Sequence, residues 1–183
     1  AILALGTYWL VRSTPAVEAS APERARGHEP DYFMRKFSIK TYDALGRLRS
    51  EVQGKEARHY PDTSWTEIDD IRIRSFDTEG RLTTATARNG MTNDGATEVK
   101  LMGNAVVVRE AQTPAGGKVT PRMEYRSEFL HAFMDTDIVT SNLPVELLRG
   151  NDRFTGDSME FDNGEQTLQL RGRVHGLLVP TTP

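Results

Sequence analysis

Two-residue alternation of apolar and polar side chains recurs from Tyr32 almost to the end of the chain, and no 3.6-residue spacing is sustained there. That feature confines the chain to strands, because side chains on an extended backbone point alternately to two faces. In TEVKLMGNAVVVRE, Val99, Leu101, Ala105 and Val107 fall on one side, and Lys100, Met102, Asn104, Val106 and Val108 on the other. Turn residues close the runs, as at Asp43 to Gly46 and Asp77 to Gly80. The last run, residues 165–180, reads as one strand. Leu168, Leu170, Gly172, Val174, Gly176 and Leu178 take one face; Gln169, Arg171, Arg173, His175 and Leu177 take the other. Only Thr181, Thr182 and Pro183 follow, so its outer edge is expected to be open and to need a partner. Such runs predict an all-β sandwich, barrel or jelly roll. QTPAGGKVTP, residues 112–121, reads as a loop or disordered insertion.

The runs also resemble one another. Ala57 and Ala87 occupy matching places 30 residues apart, in outlines that pair a small residue, a turn and a new alternating stretch. This suggests stacked hairpins continuing one sheet. At 183 residues the chain suits a single domain. A formal net charge of −3 leaves no basic excess to hold nucleic acid, and the absence of cysteine removes disulfide and thiolate chemistry.

The N-terminus departs from this pattern. AILALGTYWLV, residues 1–11, is uncharged and apolar, but too short to span a bilayer alone, which takes about 20 residues. It reads as the end of a longer membrane-spanning helix, with Leu5, Tyr8, Trp9 and Leu10 as anchor residues. The alternative is the tail of a cleaved signal peptide ending near Ala19-Ser20-Ala21. Residues 12–30 are rich in Pro, Ala, Ser and charge, as a tether would be. The expected layout is anchor 1–11, tether 12–30, β domain 31–180 and tail 181–183.

Catalytic signatures are missing. His28, His59, His131 and His175 form no metal-binding pair, and Asp135, Asp137, Asp157, Glu160 and Asp162 lack a calcium-loop register. No nucleophile elbow or phosphate loop appears, so neither enzyme activity, cofactor nor metal is expected. A sheet that curls without closing could instead line an apolar groove. Its candidate lining is Phe37, Ile39, Leu48, Val52, Ile71, Ile73, Val99, Leu101, Val107, Met159, Phe161, Leu168, Leu170 and Val174. An ordinary core would show the same alternation, so pattern alone leaves groove and core both open.

The order of motifs supplies more. YFMRKFSIKTYDALGRLRSEVQGKEARHYPDTSWTEIDDIRIRSFDTEG, then VKLMGNAVVV, SNLPVELLRGNDRFTGDSMEFD and a closing LQLRGRV resemble the LptC family of lipopolysaccharide-export proteins, over nearly the whole chain. The resemblance implies a single, partly open β-jelly roll on a single-pass inner-membrane anchor, with the folded domain in the periplasm. It further implies that lipopolysaccharide arrives from the inner-membrane ABC transporter (LptB, LptF, LptG), reached through the anchor and the N-terminal edge. The lipid then passes to periplasmic LptA, docked at the C-terminal edge. By the same resemblance Gly103 and Gly156 are assembly positions, and Gln169, Arg171, Gly172 and Arg173 belong to the docking edge. The rival reading is a carbohydrate-binding or glycan-processing jelly roll. It should show exposed aromatics and a carboxylate pair, whereas the only tryptophans are Trp9 and Trp65.

Overall fold

The computed structural model describes residues 27–180, which contain strands and no helix. Five long hairpin-linked strands come first: β1 (Tyr32–Tyr42), β2 (Leu48–Tyr60), β3 (Trp65–Phe76), β4 (Leu82–Asn93) and β5 (Glu98–Arg109). Then follow β6 (Met123–Phe133), β7 (Ile138–Ser141), β8 (Val145–Arg149), β9 (Asp152–Gly156), β10 (Ser158–Asp162), β11 (Thr167–Arg171) and β12 (His175–Leu177). All pairings are antiparallel. Strands β1 to β6 lie side by side in chain order, and beyond β6 the sheet forks. The second half of β6 carries β7, β10 and β11; its first half carries β8, β9 and β12.

The tight turns explain the register. Asp43 Oδ1 accepts the Leu45 and Arg47 amides, Asp43 Oδ2 accepts Arg47 Nε, and Gly46 sits at φ 75°. Asp77 repeats the arrangement with Glu79, Arg81 and Gly80. An Asp-x-x-Gly-Arg tip thus closes β1–β2 and again β3–β4, the structural form of the self-similarity seen in the sequence. Within residues 112–121, Gln112 and Thr120 form an isolated antiparallel bridge.

A crease crosses the first six strands. Lys36, Asp70 and Asn104 have positive φ, as does Gly103, and registers slip at Thr86/Asn89 and Met102/Ala105. Exposed Lys55 and Arg88 lie on the same line, and Glu128 ends it by accepting the Asn104 amide at 3.1 Å. These are bulge features, which bend a sheet and re-aim side chains. At the crease the inward positions lie three residues apart instead of two: Met34 and Phe37, Gly54 and Ala57, Ile68 and Ile71, Ala87 and Gly90. Glycine is needed at two of them. A Cβ on Gly54 would sit 2.6 Å from Ile68 Cγ2, and one on Gly90 2.5 Å from Ile71 Cδ1.

The bend lets the two limbs of the sheet bury one interior. Ile71, Leu130 and Leu147 are fully buried, with Ala57, Ile68, Leu101, Ala105, Val145, Met159 and Phe161 around them. The long C-terminal strand expected from alternation is two strands. Gly172 and Arg173 take φ 70° and 43°, and the chain crosses there from β11, on β10, to β12, on β9.

Candidate functional site

The inward face is built in rungs by cross-strand register. One runs Ile73, Ala85, Val107, Tyr125, Leu147 and Phe154. Of the expected lining, Ile71, Leu101, Met159 and Phe161 are buried in this interior. Phe37, Val52, Ile73, Val99, Val107, Leu168 and Leu170 are half-buried against it. Ile39 faces Val52 across the β1–β2 pair but stays 48% exposed on the edge strand, and Leu48 lies beyond a register slip at the hairpin end. Val174 does not continue the face: it follows the Gly172–Arg173 break and is 50% exposed.

Alternation alone missed Met34, Ala57, Ile68 and Ala87, because the crease changes parity within each strand. It also missed β8. Val145, which closes the N-x-P-V segment, and Leu147 lie in a strand of five residues, too short to declare a period. The hydrophobic cluster on the inward face includes no carboxylate; buried Glu51 and Glu124 alternate with it on the outward parity. The one orphaned buried polar atom among the described residues is Tyr125 Oη. Burial, opposed by Arg109 and Arg149, pushes the Tyr125 phenol up to about 12. Such a surface suits apolar chains and offers no acid–base pair.

Apart from Arg109 and Arg149 at one end of the inward face, charges such as those of Glu51, Arg58, Asp69 and Glu124 lie on the outward face, where they are mostly paired. Arg58 reaches Asp69, Glu56 and Glu67, and hydrogen bonds to Asp69 and Glu56 hold its guanidinium firmly charged. Buried Glu51 accepts from Ser38, Gln53 and Arg74, which lower its pKa. Lys100 stands over the Trp65 ring at 4.4 Å, so that tryptophan is already covered on the outer face. No group of three His, Asp or Glu poised to hold a metal occurs among the described residues. A surface cavity of about 500 Å³ lies beside the crease, lined in part by Asn104, Arg126, Glu128, Thr155, Gly156 and His175. Its charges are largely satisfied within the protein: Glu128 holds the Asn104 amide, and Arg173 pairs with Asp157.

The start of the domain is pinned by an imidazole. His59 lies between Asp31, 2.7 Å from Nδ1, and Asp94, 2.9 Å from Nε2, while Tyr32 stacks on the ring. The hydrogen bond to Asp31, and then that to Asp94, raise the His59 pKa against the cost of burial. A raised folded-state pKa gives stability that is complete below the ordinary value near 6.5 and is lost as pH rises through the raised value. Thermal unfolding is therefore expected to show a fall in Tm as pH rises above about 6.5 that is absent in His59→Gln. An identical pH profile in both proteins refutes the clasp.

Among the described residues three strand edges are open. β1 pairs only with β2, β11 only with β10 and β12 only with β9. β1 carries exposed Tyr32, Phe33, Ile39 and Tyr42, and the C-terminal end carries Leu177, Leu178 and Val179. Exposed strands with apolar side chains are templates for β-augmentation. Of the expected docking residues, Gln169 and Arg171 project from β11 and hydrogen-bond each other at 3.0 Å. Gly172 and Arg173 form the break, Gly156 ends β9 against Leu170, and Gly103 lies in the crease. Leu5, Tyr8, Trp9 and Leu10 lie outside the described residues, as do residues 12–26 of the tether.

No curated protein matches the chain at a significant level. Among solved structures, the sheet is similar to LptH from Pseudomonas aeruginosa, the LptA-homologous periplasmic component of the lipopolysaccharide transport device. The two share 16% identity with a TM-score of 0.56, over 72% of this chain and 95% of that one. At that identity the likeness establishes the fold. The family model described as "Lipopolysaccharide-assembly, LptC-related" matches residues 1–179, and on that match the chain belongs to the LptC family, a component of the lipopolysaccharide transport bridge.

Proposed function

We propose that this protein accepts lipopolysaccharide from the inner-membrane ABC transporter (LptB, LptF, LptG) and passes it to periplasmic LptA. The observation that carries the reading is the inward apolar face, continuous from Phe37 to Leu170 and flanked at both ends by open strand edges. Residues 1–11 would form the end of a single-pass inner-membrane anchor, residues 12–30 the tether, and residues 31–180 a periplasmic domain. The open β1 edge, next to the tether, would face the transporter; the β11–β12 end would pair with LptA. Gly103 and Gly156 would serve assembly from the crease and from the end of β9.

Without lipid the interior is packed, so acyl chains must part the β10–β11 limb from the main sheet. Each methylene kept from water is worth about 0.8 kcal/mol, enough for several chains to replace side-chain contacts. No catalytic step is required of this chain, since ATP hydrolysis belongs to the transporter. Photo-crosslinking in cells tests the path. A benzophenone amino acid at Phe37 or Ile73, both facing inward, is expected to capture lipopolysaccharide, and one at outward Lys40 or Arg72 is not. Capture only from the outward positions would overturn the lipid path.

A further inference from the structure

The interior ends in a cationic rung that the apolar path does not explain. One register step beyond Val107, Tyr125 and Leu147, the inward positions are Arg109, Met123 and Arg149. Arg109 and Arg149 therefore flank Met123 with one strand between them, about 10 Å apart across two strand spacings. Arg109 reaches over the Phe161 ring, 5.9 Å from its centroid, and donates to Asn163 Oδ1 at 2.5 Å, bridging β5 to the β10–β11 turn. Among the described residues neither guanidinium has a carboxylate within 4.0 Å. Asp152, opposite Arg149 in register, accepts the Val179 amide.

Between the two arginines and one rung deeper lies Tyr125, 6% exposed, with its ring 5.5 Å from Phe161 and its hydroxyl without a partner. Leaving a buried hydroxyl unbonded is costly, and native proteins seldom do so without a use for it. We propose that Arg109, Tyr125 and Arg149 form a phosphate-recognition subsite at this mouth, for a phosphorylated amphiphile whose chains lie on Val107, Leu147 and Phe161. Three donors approaching from different strands suit the several oxygens of a phosphate better than the two of a carboxylate. This inference rests on the lipid-path reading above and adds its point of head-group selection.

The test compares binding of lipid A and of its phosphatase-treated, phosphate-free counterpart by the full chain in detergent. Wild type is expected to bind the phosphorylated form about tenfold tighter or more, and Arg109→Gln/Arg149→Gln to lose that preference while still binding the phosphate-free form. Tyr125→Phe should weaken binding of the phosphorylated form several-fold yet raise Tm without lipid, a combination that a purely structural tyrosine does not give. Equal wild-type affinities for the two lipids, or a preference that survives in the double variant, overturn the subsite and leave the lipid path standing. Binding of neither lipid overturns both. Protection by inorganic phosphate alone at the same concentration would overturn the need for an amphiphile.

Discussion

Leu130→Ala is expected to lower stability by about 2–5 kcal/mol, seen as a drop in Tm of roughly 5–20 °C. Leu130 is 1% exposed and faces Leu101 across the β5–β6 pair, close to the point where β6 hands the sheet from one branch to the other. It belongs to the same buried cluster as Val145 and Leu147 of one branch and Met159 and Phe161 of the other, so neither branch is expected to collapse into the space left by truncation without pulling strands from β6. The cost should therefore fall toward the upper part of the range seen for buried leucines, where a residual cavity adds to lost burial. Leu177→Ala supplies the contrast: at 63% exposure it should change Tm by less than about 1 °C. Equal effects of the two substitutions would mean that the fork is not where the interior is held together.

The sequence exposes the strands themselves more readily than their faces. All-β structure, the Asp-x-x-Gly-Arg turns and most of the inward set follow from alternation, since each lies within a few residues of chain. The crease does not, because it is a property of six strands at once. Lys36, Lys55, Asp70, Arg88 and the Gly103–Asn104 pair share one line across the sheet while being scattered from residue 36 to residue 104. Each shifts the parity of its own strand, so Ile68 and Ile71 both point inward although strict alternation separates them. The local clues were present as polar residues between apolar ones, in IDDI and ARNG, but a bulge and an ordinary turn share that composition. The Arg109–Tyr125–Arg149 grouping was hidden for the same reason: its members come from three strands and meet only through register.

The second large effect is expected at the C-terminal break, where Gly172→Val should cost about 2–5 kcal/mol, combining left-handed backbone strain with overpacking. Gly172 has φ 70°, and a Cβ there would lie 2.7 Å from Asp157 Oδ2 and 2.9 Å from Asp157 Cβ. The carboxylate could rotate away, but Asp157 Cβ cannot, because the Asp157 amide donates to both Arg171 O and Gly172 O at 2.9 Å. Loss of the Arg173–Asp157 ion pair is the smaller part. Both groups are well exposed, and such pairs contribute about 0–1 kcal/mol, so Arg173→Ala should be mild. In Gly172→Val the chain can no longer cross from β11 to β12, and His175 to Leu177 lose their register against β9. Hydrogen exchange should show the β12 amides losing protection while those of β2 to β5 keep theirs. If the C-terminal edge is where LptA docks, capture of LptA should fail in Gly172→Val and persist in Arg173→Ala, whereas lipid crosslinking at Phe37 should survive in both. Retained capture with unprotected β12 amides would move the docking edge to β11.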